Sequence, residues 1–378
     1  MTDFNLEALR DSGYKIYLTT TGAGAGIQNE IWKVAGCSSF FVGASFPYAR
    51  DKTIQFLGYE PKQFTSRETT IDLAVASYKR ALSSCKGTDQ PVGIGVCASV
   101  TSLEEHKGDH RYYVCVITPT EIKGFSETME KPESDYHRSD PEGIRRYRNR
   151  DGNQIDYYSL RILMQVLGFG NFEVQVEDWN NLATTLFFEH PLWHPDGRRS
   201  SDEYLKTTKN HRFFPGSFNP PHMGHICMAS EIEDSKGERP VFMIERQPPH
   251  KEKLSVQEMI RRRILLKDET VLFTDGAPLF IEKARLYPFS WFVIGADTVL
   301  RMLDPFWGPQ IKDMLSEFDT LGTRFHVFGR KVEGRLWKSS EVSKMMEFNY
   351  PDHNYGMFIY HDGLWDISST QLRRELVG

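Results

Sequence analysis

Residues 212–226, RFFPGSFNPPHMGHI, combine several side chains that could do chemistry. The stretch contains a glycine turn at Gly216, two adjacent prolines, and two histidines three residues apart, His222 and His225. Three interpretations fit this spacing: a surface turn, a metal site, or a pocket that holds phosphates. Zinc needs a third and a fourth ligand, and no cluster of cysteine, histidine or glutamate near this stretch completes a site. The turn and the phosphate pocket remain as alternatives.

A phosphate pocket would use both the turn and the helix that follows it. A strand is predicted to end near Phe214, and Gly216 allows a tight turn that exposes its N–H to a ligand. His222 and His225 then fall on one face of the first turn of a helix. Free N–H groups at a helix N-terminus carry positive partial charge. Two imidazoles beside those groups therefore favour an anion.

Further polar residues that could contact a ligand follow along the chain. Asp297 lies at the end of a predicted strand, where its carboxylate could accept a hydrogen bond from a ribose or a ring amide. Arg330 lies at the end of another strand. The last predicted helix begins with hydroxyl side chains and has an arginine one turn in: Ser368, Ser369, Thr370 and Arg373. Such hydroxyls either cap the helix or hold a second phosphate.

The elements that must position these residues alternate between strand and helix. Strands are predicted at 212–214, 240–246, 270–274, 291–297, 324–330 and 356–363, and helices at 222–235, 255–267, 277–287 and 368–377. Alternation of this kind implies βαβ units and a parallel sheet. Ligands then bind at the carboxyl ends of the strands. We therefore predict an α/β, Rossmann-like fold for this half of the chain.

The first half of the chain is predicted to be a second α/β domain. Strands are predicted at 14–20, 38–46, 91–100 and 110–119, and helices at 27–35, 69–84 and 157–168. Thr69 and Asp72 suit a capping box. The polar, turn-rich residues 131–152 are interpreted as a surface loop, with solvated arginines. We predict domains at 1–180 and 209–378, joined by a linker at 181–208.

Bulk composition limits the class of protein. A chain of 378 residues exceeds the usual size of one hydrophobic core. A net charge of −5 argues against partners that are nucleic acids or anionic membranes. Five cysteines without CxxC spacing argue against a disulfide framework and favour a reducing cytosol. We expect a cytoplasmic protein with no leader and no membrane span, and we leave open whether it forms a homo-oligomer.

Three motifs in order, GSFNPPHMGH, IGADT and ISSTQLR, resemble the nucleotidyltransferase superfamily with HxGH and ISSTxxR signatures. Within that superfamily the chain is most similar to nicotinamide and nicotinate mononucleotide adenylyltransferases. The segment PPHKEKLSVQEMIRRR adds to this resemblance, because nicotinate members have a similar PPHK segment before an arginine-bearing helix. The resemblance covers about residues 213–376.

This resemblance implies a role for each matching residue. His222 and His225 would contact the phosphates of ATP, and Lys251 would neutralise phosphate charge. Asp297 would bind the nucleoside. The remaining ATP-binding positions are the backbone at Gly216, Ser217 and Phe218, the side chain of Arg330, and the group Ser368, Ser369, Thr370 and Arg373. Which of Arg261, Arg262 and Arg263 matches the family arginine is open.

The implied reaction transfers AMP from ATP to a small phosphorylated acceptor and releases pyrophosphate, with Mg²⁺ bridging the triphosphate. Residues 275–290 depart from the family pattern, which leaves the acceptor pocket open, although Trp291 and Trp307 could stack on a ring. A cytidylyltransferase that uses CTP and a phosphorylated alcohol is one alternative. A nucleotide sensor or scaffold without catalysis is another.

Residues 16–118 resemble the C-terminal domain of CinA-type nicotinamide-nucleotide amidases. In this resemblance Thr21 matches the nucleophilic serine and Thr53 matches a lysine, with Lys52 one position away. A hydroxyl nucleophile needs an activating base, and the base is missing at its matched position. We therefore predict a degenerate amidase domain. His106 and His110, which follow it, are expected to be ordinary surface residues.

Overall fold

The computed structural model describes residues 4–103, 107–131, 140–233, 237–249, 251–304, 311–332, 335–354 and 356–364. It divides into two compact units, Met1–Phe187 and Phe188–Gly378. Each unit contains an α/β arrangement with parallel strands, as the sequence predicts. None of the helices in these described ranges is long and apolar enough to cross a membrane. Every cysteine is a free thiol, as the cysteine spacing predicts.

The first unit is built on a six-stranded sheet with the order β2-β1-β3-β4-β5-β6. Its strands are β1 Tyr14–Thr21, β2 Phe41–Ser45, β3 Gln90–Ser99, β4 His110–Ile117, β5 Ile122–Met129 and β6 Glu177–Asp178. The pairs β1–β2 and β1–β3 are parallel, and the pairs from β3 to β6 are antiparallel. The sheet is therefore mixed rather than wholly parallel.

Helices cover this sheet: α1 Ala25–Trp32, α2 Arg50–Leu57, α3 Arg67–Ser84, α4 Pro141–Val166 and α5 Asn180–Glu189, with 3₁₀ turns at Leu6–Leu9 and Cys37–Ser39. Helix α3 lies directly on β3, because a Cβ at Gly93 or Gly95 would fall 2.3 Å from its backbone. Ser66 caps α3 by accepting from the Thr69 N–H at 3.1 Å. The cap is thus Ser66, not the predicted Thr69–Asp72 box.

The predicted surface loop at 131–152 is wrong for residues 141–152, which form the first three turns of α4. Asp140 caps this helix by accepting from the Gly143 N–H at 2.9 Å. Most of its arginines are exposed, as predicted, but two polar residues make tertiary bonds: buried Asp151 accepts from the Thr101 N–H and hydroxyl, and Arg148 donates to the Thr101 carbonyl. His110 is also buried, against Asp151, so the surface prediction is wrong for it. His106 lies outside the described residues.

The second unit contains a nine-stranded sheet with the order β14-β13-β12-β9-β10-β11-β7-β8, in which β15 also pairs with β13. Its strands are β7 Leu192–Trp193, β8 Arg199–Ser200, β9 Arg212–Pro215, β10 Val241–Glu245, β11 Val271–Thr274, β12 Trp291–Gly295, β13 Arg324–Val332, β14 Arg335–Trp337 and β15 Phe358–Leu364. The central strands, from β11 through β10, β9, β12 and β13 to β15, are all parallel. The carboxyl ends of these strands therefore lie at one edge.

Eight helices are found in the described parts of this unit: α6 Glu203–Thr207, α7 Met223–Glu231, α8 Val256–Leu265, α9 Phe280–Leu286, α10 Ala296–Met302, α11 Ile311–Thr320, α12 Ser339–Asn349 and α13 Pro351–Asn354. Aromatic rings from neighbouring strands fill the core, with Phe213, Phe292 and Phe325 fully buried and in contact. The helix predicted at 368–377 lies outside the described residues.

The segment expected to be a linker, 181–208, contains ordered elements instead. Strand β7 pairs antiparallel with β11, and β8 pairs with β7. Leu192 and Trp193 are buried because they extend the second sheet beyond its parallel centre. Most of this segment is thus part of the second unit, and the boundary between the units falls at Phe187 and Phe188.

Candidate active site

The loop of the HxGH stretch, Asp297 and Arg330 come together at the carboxyl edge of the second sheet. Strands β9, β12 and β13 are neighbours and parallel. The loop follows β9, Asp297 follows β12, and Arg330 lies near the end of β13. The convergence of these three groups is what the strand–helix alternation predicts.

Packing beneath the loop fixes its course. The Gly216 N–H donates to the Met243 carbonyl at 3.0 Å, so the chain stays against β10 beyond the end of β9. A Cβ at Gly216 would lie 2.6 Å from the ring of Phe218. That ring is fully buried and contacts His225 at 4.9 Å between centroids. The side chain of Phe218 is therefore part of the core, and only the backbone of this residue contributes to the loop.

His222 and His225 lie at the start of α7, as predicted. His222 is the N-cap, and its backbone N–H donates to Nδ1 of His225 at 3.2 Å. The two rings stack with centroids 3.6 Å apart and planes at 26°. His225 is only 8% exposed. Neither ring nitrogen of His222 has a hydrogen-bond partner in the described part of the chain, although both are buried. These two nitrogens are therefore unsatisfied within the described chain.

Burial sets the charge of the two histidines. Desolvation lowers the pKa of His222 to about 4, and the guanidinium of Arg330 adds to that effect. Desolvation also lowers the pKa of His225 to about 3, with contributions from His222 and Arg330. Both rings are therefore neutral at pH 7 in the ligand-free protein. They can donate N–H groups to a phosphate, while the fixed positive charge comes from Arg330.

Asp297 lies between two arginines. It belongs to the first turn of α10 and forms a close ion pair with Arg301, one helical turn on. Its Oδ1 lies 3.7 Å from Nη1 of Arg330. A Cβ at Gly295 would come within 2.4 Å of this carboxylate oxygen, so glycine is needed there. Asp297 thus orients Arg330 beside the histidines, and a role in binding the nucleoside stays a prediction.

Lysine and arginine side chains contact the loop from α8 and the segment before it. Lys251 donates to Ser217 Oγ at 3.4 Å. Arg262 donates to the Ser217 carbonyl at 3.0 Å, and Arg261 donates to the side chain of Asn219. The third candidate of the arginine triplet, Arg263, faces elsewhere.

Arg263 donates to the carbonyls of Leu266 and His194 and is fully buried. Of the three arginines, Arg261 and Arg262 thus contact the loop at residues 217–219, and which of the three matches the family arginine stays open. Glu258 accepts from each of these two side chains and holds them in place.

A pocket of about 270 Å³ opens beside Gly216 and Ser217. Its walls are largely apolar and include Met243, Phe280, Met302 and Met314. Its polar lining includes Lys251 and Arg301 and two buried charged residues, Glu245 and Lys283. Apolar walls with a few fixed polar groups are typical of small-molecule sites. The pocket adjoins the loop at Gly216 and Ser217.

Sequence reasoning missed Glu245 and Lys283. The available signal was a charged residue inside an otherwise apolar run, VFMIE for the first and FIEKARL for the second. Trp291, expected to stack on a substrate ring, stacks on His326 at 4.9 Å and does not line the pocket. Trp307 and the residues Ser368, Ser369, Thr370 and Arg373 lie outside the described residues.

In the first unit the matched amidase positions lack a base beside a nucleophile. Thr21 ends β1. Thr53 is buried, and its hydroxyl donates to the carbonyls of Pro47 at 2.6 Å and Ala49 at 3.3 Å. Lys52 is 62% exposed and pairs with Asp51 at 3.3 Å. The hydroxyl of Thr53 is thus used by its own loop.

Comparison with known proteins matches residues 213–375 to the family model described as cytidylyltransferase-like. A probable nicotinate-nucleotide adenylyltransferase of Lactiplantibacillus plantarum is 27% identical over 186 residues, which is 43% of this chain and 74% of the relative. One with the same description from Rubrobacter xylanophilus is 34% identical over 109 residues. That match spans 24% of this chain and about half, 51%, of the relative.

Two solved structures are similar at low identity. A competence-damaged protein (CinA) superfamily protein from Enterobacter cloacae has a TM-score of 0.34 and 12% identity, covering 43% of this chain and 90% of its own. The Plasmodium falciparum nicotinic acid mononucleotide adenylyltransferase, complexed with NaAD, has a TM-score of 0.28 and 15% identity. It covers 44% of this chain and 83% of its own.

Proposed function

We propose that this chain, a nucleotidyltransferase through its cytidylyltransferase-like domain at residues 213–375, transfers AMP from ATP to a pyridine mononucleotide. The acceptor would be nicotinate or nicotinamide mononucleotide, and pyrophosphate would be released. The observation that supports this most directly is the meeting of stacked His222 and His225 with Arg330 at one sheet edge, beside an apolar pocket. The sequence relatives described as nicotinate-nucleotide adenylyltransferases support the choice of acceptor.

The reaction is a displacement at phosphorus. A phosphate oxygen of the acceptor attacks the α-phosphorus of ATP and forms a new P–O bond. The bond from the α-phosphorus to the oxygen bridging to the β-phosphorus breaks, and its electron pair leaves with pyrophosphate. No covalent enzyme intermediate is needed. The barrier lies in bringing two anions together and in stabilising the spread negative charge, so positioning and positive groups supply the catalysis.

The residues at the sheet edge fit those tasks. His222 and His225 would donate N–H groups to phosphate oxygens, together with the free N–H groups at the start of α7. Arg330 would supply a fixed charge, oriented by Asp297 at 3.7 Å. Lys251, at the rim of the pocket next to Ser217, would face the phosphates of either substrate. A bound triphosphate would raise the pKa of both histidines, because its charge favours the imidazolium.

We propose that Mg²⁺ enters with ATP. Among the described residues no group of three or more histidine, cysteine, aspartate or glutamate side chains is placed to hold a metal ion. Asp297 is occupied by Arg301 and Arg330. This donor set fits a cation held mainly by phosphates and water, with no more than two protein side chains as ligands. Mg²⁺ would partly neutralise the triphosphate, and the protein would position it through the phosphates.

The partners in this proposal are ATP and a small phosphorylated acceptor in the cytoplasm, with no nucleic acid and no membrane. The same edge would suit CTP, since the phosphate-binding groups do not depend on the base. A nucleotide sensor would use the same groups without turnover. These alternatives differ in nucleotide and in pyrophosphate release.

The proposal is tested by pyrophosphate release from Mg·ATP and from Mg·CTP, with nicotinate and nicotinamide mononucleotide offered separately. Wild type is compared with His225→Ala and with Met223→Ala, an exposed residue of the same helix turn. We expect release with ATP and a pyridine mononucleotide, unchanged in Met223→Ala and lowered about 10²–10³-fold in His225→Ala. Binding of ATP without release would support a sensor, and release only with CTP would replace the substrate assignment.

A further inference from the structure

Lys283 is a buried cation at the wall of the pocket. It lies on α9 and is 4% exposed, yet it lines the cavity together with Phe280 and Met243. Lysines are almost never fully buried unless they are paired. A lysine in this position therefore has a structural partner, a ligand, or both.

The ammonium of Lys283 is only partly satisfied by the protein. It donates to the carbonyl of Ala277 in a short bond and to the carbonyl of Pro278 at 3.0 Å. An ammonium has three donors, and within the described chain its hydrogen bonds are these two. Neither acceptor carries a full negative charge. One N–H donor thus remains without an acceptor in the described chain, and the centroid of the Phe280 ring is 5.8 Å away.

Glu245, the nearby carboxylate, is committed to the backbone. Its Oε2 accepts from the Thr274 hydroxyl at 2.7 Å and from the Ala277 N–H at 3.3 Å. Its Oε1 accepts from the Gly276 N–H at 3.0 Å. Glu245 therefore shapes the turn after β11 and acts on Lys283 at longer range. It does not offer the pocket a free acceptor of comparable strength.

The charges around Lys283 also indicate that its ammonium lacks a close anionic partner among the described residues. Desolvation lowers the pKa of Lys283 to about 8, and the charges of Glu245 and Glu282 offset part of that effect. The side chain is thus mainly an ammonium at neutral pH, in a site that poorly solvates it. An anion entering the pocket would give this cation a partner at little further desolvation cost.

We propose that Lys283 binds an anionic substituent on the ring of the acceptor, so that the pocket selects a carboxylate-bearing mononucleotide over its uncharged carboxamide counterpart. This inference rests on the proposed function and assigns its substrate class. The apolar walls take the ring, and the third N–H of Lys283 donates to a carboxylate oxygen. A carboxamide oxygen would accept the same bond without the charge, and would therefore bind more weakly.

Steady-state kinetics with both acceptors at saturating Mg·ATP test this. We expect wild type to favour nicotinate mononucleotide. In Lys283→Met, which keeps the length of the side chain, KM for nicotinate mononucleotide should rise about 10- to 100-fold, with kcat and the KM for ATP changed much less. The preference over nicotinamide mononucleotide should shrink by the same factor. Lys312→Met, an exposed lysine on α11, is the matched control and should behave as wild type.

The pH dependence of wild type gives a readout that needs no variant. We expect kcat/KM for nicotinate mononucleotide to fall as pH rises through about 8, where Lys283 loses its charge, and that for nicotinamide mononucleotide to fall less. Equal pH profiles for the two acceptors would overturn the proposal. So would an equal loss of kcat/KM for both acceptors in Lys283→Met, which would make Lys283 a brace of the turn after β11.

Calorimetric measurement of acceptor binding without ATP separates failure of the proposed transferase activity from failure of the proposal for Lys283. If neither acceptor supports pyrophosphate release, the proposed function fails, but binding of nicotinate and nicotinamide mononucleotide can still be compared. Tighter binding of nicotinate mononucleotide to wild type than to Lys283→Met would support the proposal that Lys283 binds the anionic substituent. Binding that is indistinguishable between the two proteins would overturn it.

Discussion

The imidazole rings of His222 and His225 stack with their centroids 3.6 Å apart. Two imidazolium cations at this distance would repel each other strongly, and Arg330 adds a third positive charge beside them. Desolvation, with these positive charges, therefore keeps both rings neutral in the ligand-free site, and the positive charge lies on Arg330. Binding of a triphosphate would add the negative charge that lets the rings take up protons.

This arrangement predicts that acid destabilises the protein partly through His225. Its folded-state pKa, about 3, lies below the ordinary value of 6.5, so the unfolded chain binds a proton first as pH falls. The stabilisation is complete above pH 6.5 and is lost toward pH 3, at up to about 1.4 kcal/mol per pH unit. We expect the free energy of unfolding in urea to fall more steeply between pH 6.5 and 4.5 in wild type than in His225→Gln. Equal slopes would contradict this origin.

Arg330 should contribute, after desolvation, to the lowered pKa of both histidines. Replacing it in Arg330→Gln removes a positive charge that disfavours the imidazolium of His222 and of His225, so both pKa values should rise. Titration of the ring resonances by nuclear magnetic resonance measures this directly. The KM for ATP should also rise, about tenfold, since a charge-assisted contact is lost. Arg335→Gln, an exposed arginine on β14, is the control, and unchanged histidine titrations in Arg330→Gln would contradict the prediction.

Replacement of Arg262 should lower catalytic efficiency, whereas replacement of the neighbouring Arg263 should lower stability. Arg262 donates to the carbonyl of Ser217 in the loop after β9, so Arg262→Ala should lower kcat/KM about tenfold or more, because the loop loses its support. Arg263 donates to the carbonyls of Leu266 and His194. Arg263→Ala should therefore cost about 3 kcal/mol of stability, because two carbonyls lose their donor and a cavity is left, with little effect on the kinetics of the folded protein. Thermal unfolding and pyrophosphate release, measured on both variants, would show the reverse pattern if these roles were exchanged.

Glu245 lines the pocket, and we expect it to contribute to the stability of the folded protein. Its carboxylate accepts from the Thr274 hydroxyl and from the N–H groups of Gly276 and Ala277. An amide in Glu245→Gln has one oxygen and would leave part of this set unsatisfied, at a cost of about 2 kcal/mol. Urea unfolding followed by tryptophan fluorescence measures the change, with Glu252→Gln, an exposed glutamate, as control. Unfolding at wild-type urea concentrations would contradict this bracing role.

The sequence could predict the parallel sheet and the carboxyl-edge site because both follow from local patterns. Strand–helix alternation around residues 212–297 forces successive strands into parallel pairing, and the glycine turn before His222 is a local feature. Asp297 and Arg330 were predictable for the same reason: each follows or ends a strand.

What the sequence could not predict depends on contacts between distant segments. The first turns of α4 are predicted to be a loop because their composition is polar, yet Asp151 and Arg148 bond to Thr101, about fifty positions earlier. The burial of Lys283 depends likewise on the turn after β11 and on β10 lying beside it. Charged residues buried by tertiary structure have no local signal beyond their apolar neighbours.

The first unit should not act as an amidase. Hydrolysis by a hydroxyl nucleophile needs a base within hydrogen-bond reach, whereas the Thr53 hydroxyl donates to Pro47 and the exposed Lys52 pairs with Asp51. We expect no release of ammonia from nicotinamide mononucleotide above the rate without protein, either in wild type or in Thr21→Ala. Thr21→Ala should also leave pyrophosphate release by the second unit unchanged. Ammonia release that Thr21→Ala abolishes would establish a working nucleophile and a base supplied from another position.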